Sequence, residues 1–168
     1  MSAVPSAEVV AAQAAVRALI ASNLYDTKIV PELEEHVKFQ LRTSSYNAEA
    51  NRELLQLYAL APDMLKLDIL ARLLLKALMQ LPSPDFVTSL YLLQPEKLHA
   101  LEPVRLLVKL HTLLDTCQFK KFWTELTAFR ANQSNQAIVN FQEVKDFDQH
   151  IRNCQQTYTR ACANTRHK

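Results

Sequence analysis

Residues 64–80 read MLKLDILARLLLKALMQ, and the fold turns on this stretch. Leu65, Ile69, Leu70, Leu73, Leu74, Ala77 and Leu78 recur at the i, i+3, i+4 spacing of an α-helix. Asp68, Arg72, Lys76 and Gln80 form a narrow polar stripe, so the spacing predicts a helix that is apolar nearly all round. Such a helix must be covered by neighbours on several sides. It is therefore read as the centre of the fold.

Toward the N-terminus, a helix over 48–60 buries Ala50, Leu54, Leu57 and Tyr58, and Pro62 closes it. Pro31 opens the helix before it, in the first turn where proline is tolerated, and Leu33, Val37 and Leu41 carry that helix to Arg42. Glu32, Glu34 and Glu35 fall in its first turn, where the helix dipole favours anions. The pairs Glu34–Glu35 and Glu49–Glu53 read as solvated faces beside Lys38, Arg42 and Arg52. A first helix over 8–21 places Val9, Ala12, Val16, Leu19 and Ile20 inward.

Toward the C-terminus, a short helix over 85–93 turns Phe86 and Leu90 inward. A sixth starts at Pro103 and buries Leu106, Leu107, Leu110, Leu113 and Leu114. A seventh, 119–130, holds Phe119, Phe122, Trp123 and Phe129. The polar run ANQSNQ at 131–136 then marks a linker over 131–140. Beyond it, Val144, Phe147, Ile151, Cys154 and Tyr158 step by alternating threes and fours, the seam of a helix packing lengthwise on another. That seam either docks a partner helix or folds back on the chain's own repeats. The expected organisation is a helical-repeat unit over 1–130, the linker, and a C-terminal helix with a basic, frayed tail over 141–168.

The chain contains no glycine. Gly-rich phosphate loops, dinucleotide fingerprints and the usual nucleophile elbow all need it, so the commonest enzyme classes are disfavoured. Helices, which interior glycine weakens by about 1 kcal/mol, lose nothing. The expected fold is all-α: a HEAT/TPR-like solenoid of about seven helices plus the C-terminal one. With 49% hydrophobic and 21% charged residues, a packed core is available. A formal charge of +2 is too mild to announce a nucleic-acid binder. Three cysteines (Cys117, Cys154 and Cys162) without framework spacing suit a reducing compartment. The alanine-rich N-terminus lacks a basic leader region, and the longest uncharged apolar window, 86–95, is far short of a membrane span. A soluble, cytoplasmic protein is expected.

Candidate chemistry is thin. His111, Asp115 and Cys117 lie close in sequence, yet a helix points Cys117 about 200° away from Asp115, which leaves a surface His–Asp pair beside a buried structural thiol. His150 and Cys154 are spaced like two zinc ligands, but Cys162 and His167 would have to complete the site from the tail, and no metal is expected. An alternative function is a small RNA-binding module whose phosphate contacts are Lys120, Lys121, Arg130, Arg160 and Arg166.

Two segments are more individual than periodicity requires. One is Tyr46-Asn47-Ala48-Glu49-Ala50-Asn51, followed by Leu54, Leu57-Tyr58 and Pro62; the other is Leu113-Leu114-Asp115-Thr116-Cys117-Gln118-Phe119, followed by Phe122-Trp123 and Leu126. With Leu74–Leu78, Leu81-Pro82 and Asp85-Phe86 between them, this colinear set over residues 16–130 resembles the subunit k family of eukaryotic translation initiation factor 3. The resemblance implies a HEAT-like domain followed by a winged helix, the PCI-type fold. It also implies no catalytic activity, no cofactor and no small-molecule substrate. The implied role is a peripheral scaffold subunit that pairs chiefly with subunit l and meets the small ribosomal subunit through the complex. Only ten residues follow Tyr158, so the winged helix is expected to be truncated or absent. The partner-binding residues are then expected to be Val144, Phe147, Ile151, Cys154 and Tyr158.

Overall fold

The computed structural model describes residues 6–93, 101–131 and 147–165, with side chains through residue 157. These residues form eight α-helices and two 3-10 turns, in a solenoid-like stack of antiparallel hairpins with no strand among them. The helices are α1 (Ala7–Ser22), α2 (Val30–Arg42), α3 (Ala48–Leu60), α4 (Leu67–Leu78), α5 (Asp85–Leu92), α6 (Glu102–Asp115), α7 (Phe119–Ala131) and α8 (Phe147–Thr165).

Local chemistry sets the boundaries. Ser6 Oγ accepts from the Val9 amide to cap α1, and Asn47 Oδ1 accepts from the Ala50 amide to cap α3. Pro31 and Pro103 sit in the first turns of α2 and α6, where their missing N–H costs no helical bond. Three tight turns require a left-handed residue, and without glycine they fall to Tyr25 (φ 61°), Ser44 (φ 53°) and Cys117 (φ 56°).

The central helix starts later than its periodicity implies. Pro62–Met64 forms a 3-10 turn and Leu65 is extended (ψ 122°), so α4 begins at Leu67. From Ile69 to Met79 every residue but Arg72 is buried, with α2, α5 and α6 packed around it. One cluster runs through the body, from Ile20 and Val30 through Leu54, Leu70, Leu74 and Phe86 to Leu107, Phe122 and Leu126.

Two positions expected in water are inside. Lys76, placed on the polar stripe, is only 3% exposed because three neighbouring helices leave α4 almost no free side. Its ammonium lacks a carboxylate among the described residues, and burial pulls its pKa from 10.5 to about 8. Glu34, expected on an outer face, is buried as well. Its carboxylate accepts from Tyr58 Oη (2.9 Å) and from Lys66 Nζ. The solvated reading does hold for Glu35, paired with Lys38, and for Glu49, paired with Arg17.

The Glu34 joint ties α2 to the end of α3 and the start of α4. Burial first, then the hydrogen bond to Glu34, pushes the Tyr58 phenol well above its ordinary pKa. Replacing Glu34 with Ala orphans a buried hydroxyl and leaves a void, so the variant should lose about 2–3 kcal/mol in urea unfolding. A loss below about 0.5 kcal/mol would show the joint to be incidental.

Candidate interaction surface

Between α2 and α3 the buried polar groups satisfy one another. Gln40 Nε2 donates to Asn51 Oδ1 (2.8 Å), and Asn51 Nδ2 donates back to Gln40 Oε1 (3.2 Å). The Asn47 amide also donates to Gln40 Oε1 (2.9 Å), and Asn47 Nδ2 lies 3.3 Å from Nε2 of the buried His36. Burial lowers the pKa of that imidazole. The Tyr46 phenol is pushed up first by burial and then by the charge of Asp85, to which it also hydrogen-bonds at the start of α5. The segment 46–51 is thus an internal joint of α2, α3 and α5. Its individuality in the sequence reflects the strict pairing that buried polar atoms demand.

Of the three residues closest in sequence to a catalytic set, His111 and Asp115 stay one helical turn apart on α6 and Cys117 leaves their helix. The His111 ring lies flat on Phe86 (centroids 4.6 Å apart, 10° between planes), and burial lowers its pKa against the opposing pull of Asp115. Cys117 is exposed, contrary to the expected buried thiol, because the left-handed turn after α6 carries it out of the helical register. His150 is exposed, and no group of three metal-ligating side chains occurs among the described residues.

The expected docking seam faces inward. Phe147 and Ile151 are 2% and 1% exposed and belong to the body's own hydrophobic cluster, so neither is offered to a partner. Cys154 is half-buried, with its Sγ donating to the Leu81 carbonyl at 3.8 Å. Val144 lies outside the described residues, as does the Tyr158 side chain. The α8 helix is further held by a bidentate pair from Arg130 to Asp148 (2.7 and 3.0 Å), and by Arg152 stacked 4.8 Å over the Trp123 ring. The guanidinium keeps the Asp148 carboxyl below its ordinary pKa, against the opposing effect of burial.

Arg130 is therefore engaged in holding α8, not free for phosphate. Lys120 and Lys121 are exposed on the first turn of α7. The backbone around Arg160, expected to fray, is helical to Thr165; the Arg160 side chain and all of Arg166 lie outside the described residues.

Large apolar side chains facing water are Val10 on α1, Tyr91 on α5 and a group of four at one end of the stack. Alternating helix directions put the α1–α2 and α3–α4 turns at one end of the stack, the end that Glu34, Tyr58 and Lys66 also mark. Those turns expose Leu24 (60%), Tyr25 (63%), Leu60 (61%) and Met64 (37%). Periodicity missed Leu24, Tyr25 and Met64 because turn residues belong to no helical face, whereas Leu60 is the last residue of α3 and lies outside its buried set. Their only signal in the sequence is that large apolar residues sit beside the helix-ending Asn23 and Pro62.

Stacked hairpins whose buried polar groups are consumed as internal joints define an all-α, solenoid-like protein. Residues 64–160 match the CSN8/PSMD8/EIF3K family, and the chain belongs to it. It is 34% identical over 138 residues to "Eukaryotic translation initiation factor 3 subunit K" of Dictyostelium discoideum, an alignment covering 82% of this chain and 52% of that protein. The protein of the same name from Anopheles gambiae is 34% identical over 128 residues (76% of this chain, 54% of that protein). The human one is 35% identical over 103 residues (61% and 46%). The chain spans about half the length of the curated relatives it matches. No helix among the described residues is long and apolar enough to cross a membrane.

Proposed function

We propose that this chain is a non-catalytic scaffold subunit of the eukaryotic translation initiation factor 3 complex, working in the cytoplasm in translation initiation. The observation that carries the reading is the alignment of four-fifths of the chain with relatives named as subunit K of that factor. Its chief partner is subunit L, and it meets the small ribosomal subunit through the assembled complex. The mechanism is presentation of a surface: a core of interlocked leucines and aromatics holds the turn-end residues Leu24, Tyr25, Leu60 and Met64 at fixed positions. Interfaces draw most of their energy from a few anchors, among which tyrosine is enriched, and Tyr25 is one such residue.

The test is capture of purified subunit L by the purified chain at moderate salt, with the melting midpoint recorded alongside. Replacing both Tyr25 and Leu60 with Ser should weaken capture at least tenfold, about 1.4 kcal/mol, without shifting the midpoint. Unchanged capture would remove this end from the interface, and failure of the parent chain to bind would remove the partner. The RNA reading keeps Lys120 and Lys121 but loses Arg130. Micromolar RNA binding with a steep salt slope would favour it instead.

A further inference from the structure

Two backbone amides fix the orientation of the polar side chains in the joint between α2 and α3. The Asn47 N–H points at Gln40 Oε1 (2.9 Å), so that atom is the amide oxygen, and Gln40 Nε2 is left to donate to Asn51. The Ala50 N–H points at Asn47 Oδ1 (3.1 Å), the bond that caps α3. The other arm of the Asn47 amide is therefore an NH2 group, which only donates, and it faces His36 Nε2 at 3.3 Å. The ring nitrogen on that side has to accept. His36 is 6% exposed and stacked on Phe39, with centroids 5.9 Å apart. Its partners make it the neutral tautomer with the proton on Nδ1.

We propose that His36 is an acid-sensing latch on the α2–α3 joint: its protonation turns Nε2 into a donor, forces the Asn47 amide to rotate and uncaps α3. An imidazolium carries a proton on both nitrogens, so Nε2–H and the Asn47 NH2 would meet donor to donor. Rotating that amide to present its oxygen to the ring withdraws the oxygen from the Ala50 N–H. The release reaches beyond α3. Neighbouring Tyr46 accepts from Gln13 of α1 through its carbonyl (3.4 Å) and hydrogen-bonds Asp85 of α5 through its phenol. Burial alone lowers the pKa of the imidazole. No ionised group on α2 or the elements packed around it moves that pKa, neither Arg17 of α1, Lys28 of the 3-10 turn, Glu34 of α2, Glu49 of α3 nor Lys66 of α4. As pH falls through the ordinary 6.5, the unfolded chain takes up this proton before the folded one does. The stability that the neutral ring supports is therefore complete above that value and is lost on descent toward the lower folded pKa.

A long-range proton–nitrogen correlation on the nitrogen-labelled chain at about pH 7.5 reads the tautomer, with the ring assigned through the residue's own backbone resonances. Nε2 should be the unprotonated nitrogen. The protection of the Ala50 amide against hydrogen exchange, corrected for its intrinsic rate, should fall on acidification to about pH 5.5. The drop should be about fivefold, the ordinary worth of an N-cap, and should follow the His36 titration. Glutamine at position 36 offers a carbonyl oxygen that accepts from Asn47 and does not titrate, so His36→Gln should hold Ala50 protection constant over this range. Asn47→Ala should show the acid level of protection already at about pH 7.5. A proton found on Nε2 at that pH, an Ala50 amide indifferent to the His36 titration, or an acid response that persists in His36→Gln would each overturn the proposal. Should His36→Gln fail to fold, the parent's tautomer and its Ala50 titration decide alone.

Discussion

Replacing both Phe147 and Ile151 with Asp will detach α8 and strip the protein of much of its stability. Both side chains are essentially sealed in the shared hydrophobic cluster. Emptying a buried Phe site alone costs about 3–5 kcal/mol, and the introduced carboxylates must also be dehydrated or protonated. A combined loss of at least about 5 kcal/mol compares with a total of about 5–15 for an ordinary domain. Thermal melting followed by circular dichroism should show the midpoint falling by at least about 10 °C, or no cooperative transition. Phe147→Leu, which stays apolar, should cost much less than the double Asp variant. A double Asp variant that melts like the parent but no longer captures a partner would restore the outward-facing seam.

Lys76→Met should act in the opposite direction and stabilise the protein. The native ammonium is buried on α4 with no carboxylate against it among the described residues, and its pKa stands at about 8 against an ordinary 10.5. Below pH 8 the lysine is charged in both folded and unfolded chains, so the folded state bears the whole dehydration cost, about 3 kcal/mol. Between pH 8 and 10.5 the folded chain releases this proton while the unfolded chain keeps it. The unfolded state then binds more protons, and this residue's contribution to stability rises with pH. Methionine matches the stem's length without the charge. In urea titrations the variant should exceed the parent by about 3 kcal/mol at pH 7, and the advantage should shrink toward pH 10. A variant weaker than the parent at pH 7, or a difference constant with pH, would contradict this account.

Helical periodicity made the scaffold readable. The α3 helix spans the expected 48–60, the helices opened by Pro31 and Pro103 begin within a residue of those prolines, and the leucines expected inward on α2 and α3 are buried. Periodicity describes rotation about one axis, however, and is silent on how many neighbours stand around it. Lys76 and Glu34 were misjudged for that reason: each occupies the polar side of its own helix, and another helix covers that side. Phe147 and Ile151 were recognised as a seam, but a seam's spacing is the same whether it meets another chain or its own. Cys117 was placed by carrying the α6 rotation two residues beyond Asp115, to the residue at which φ changes sign. The exposed turn residues Leu24, Tyr25 and Met64 lay beyond the reach of any periodic pattern.

The three left-handed turns of this glycine-free chain bear on its denatured state. Holding Tyr25, Ser44 and Cys117 at positive φ costs about 1–2 kcal/mol apiece in the native form. Against this, every position that an ordinary sequence would give to glycine carries a side chain here, which narrows the ensemble from which folding starts by about 0.4–1 kcal/mol per site. Part of this protein's resistance to unfolding therefore resides in conformations that its random coil is denied, where no inventory of native contacts would find it.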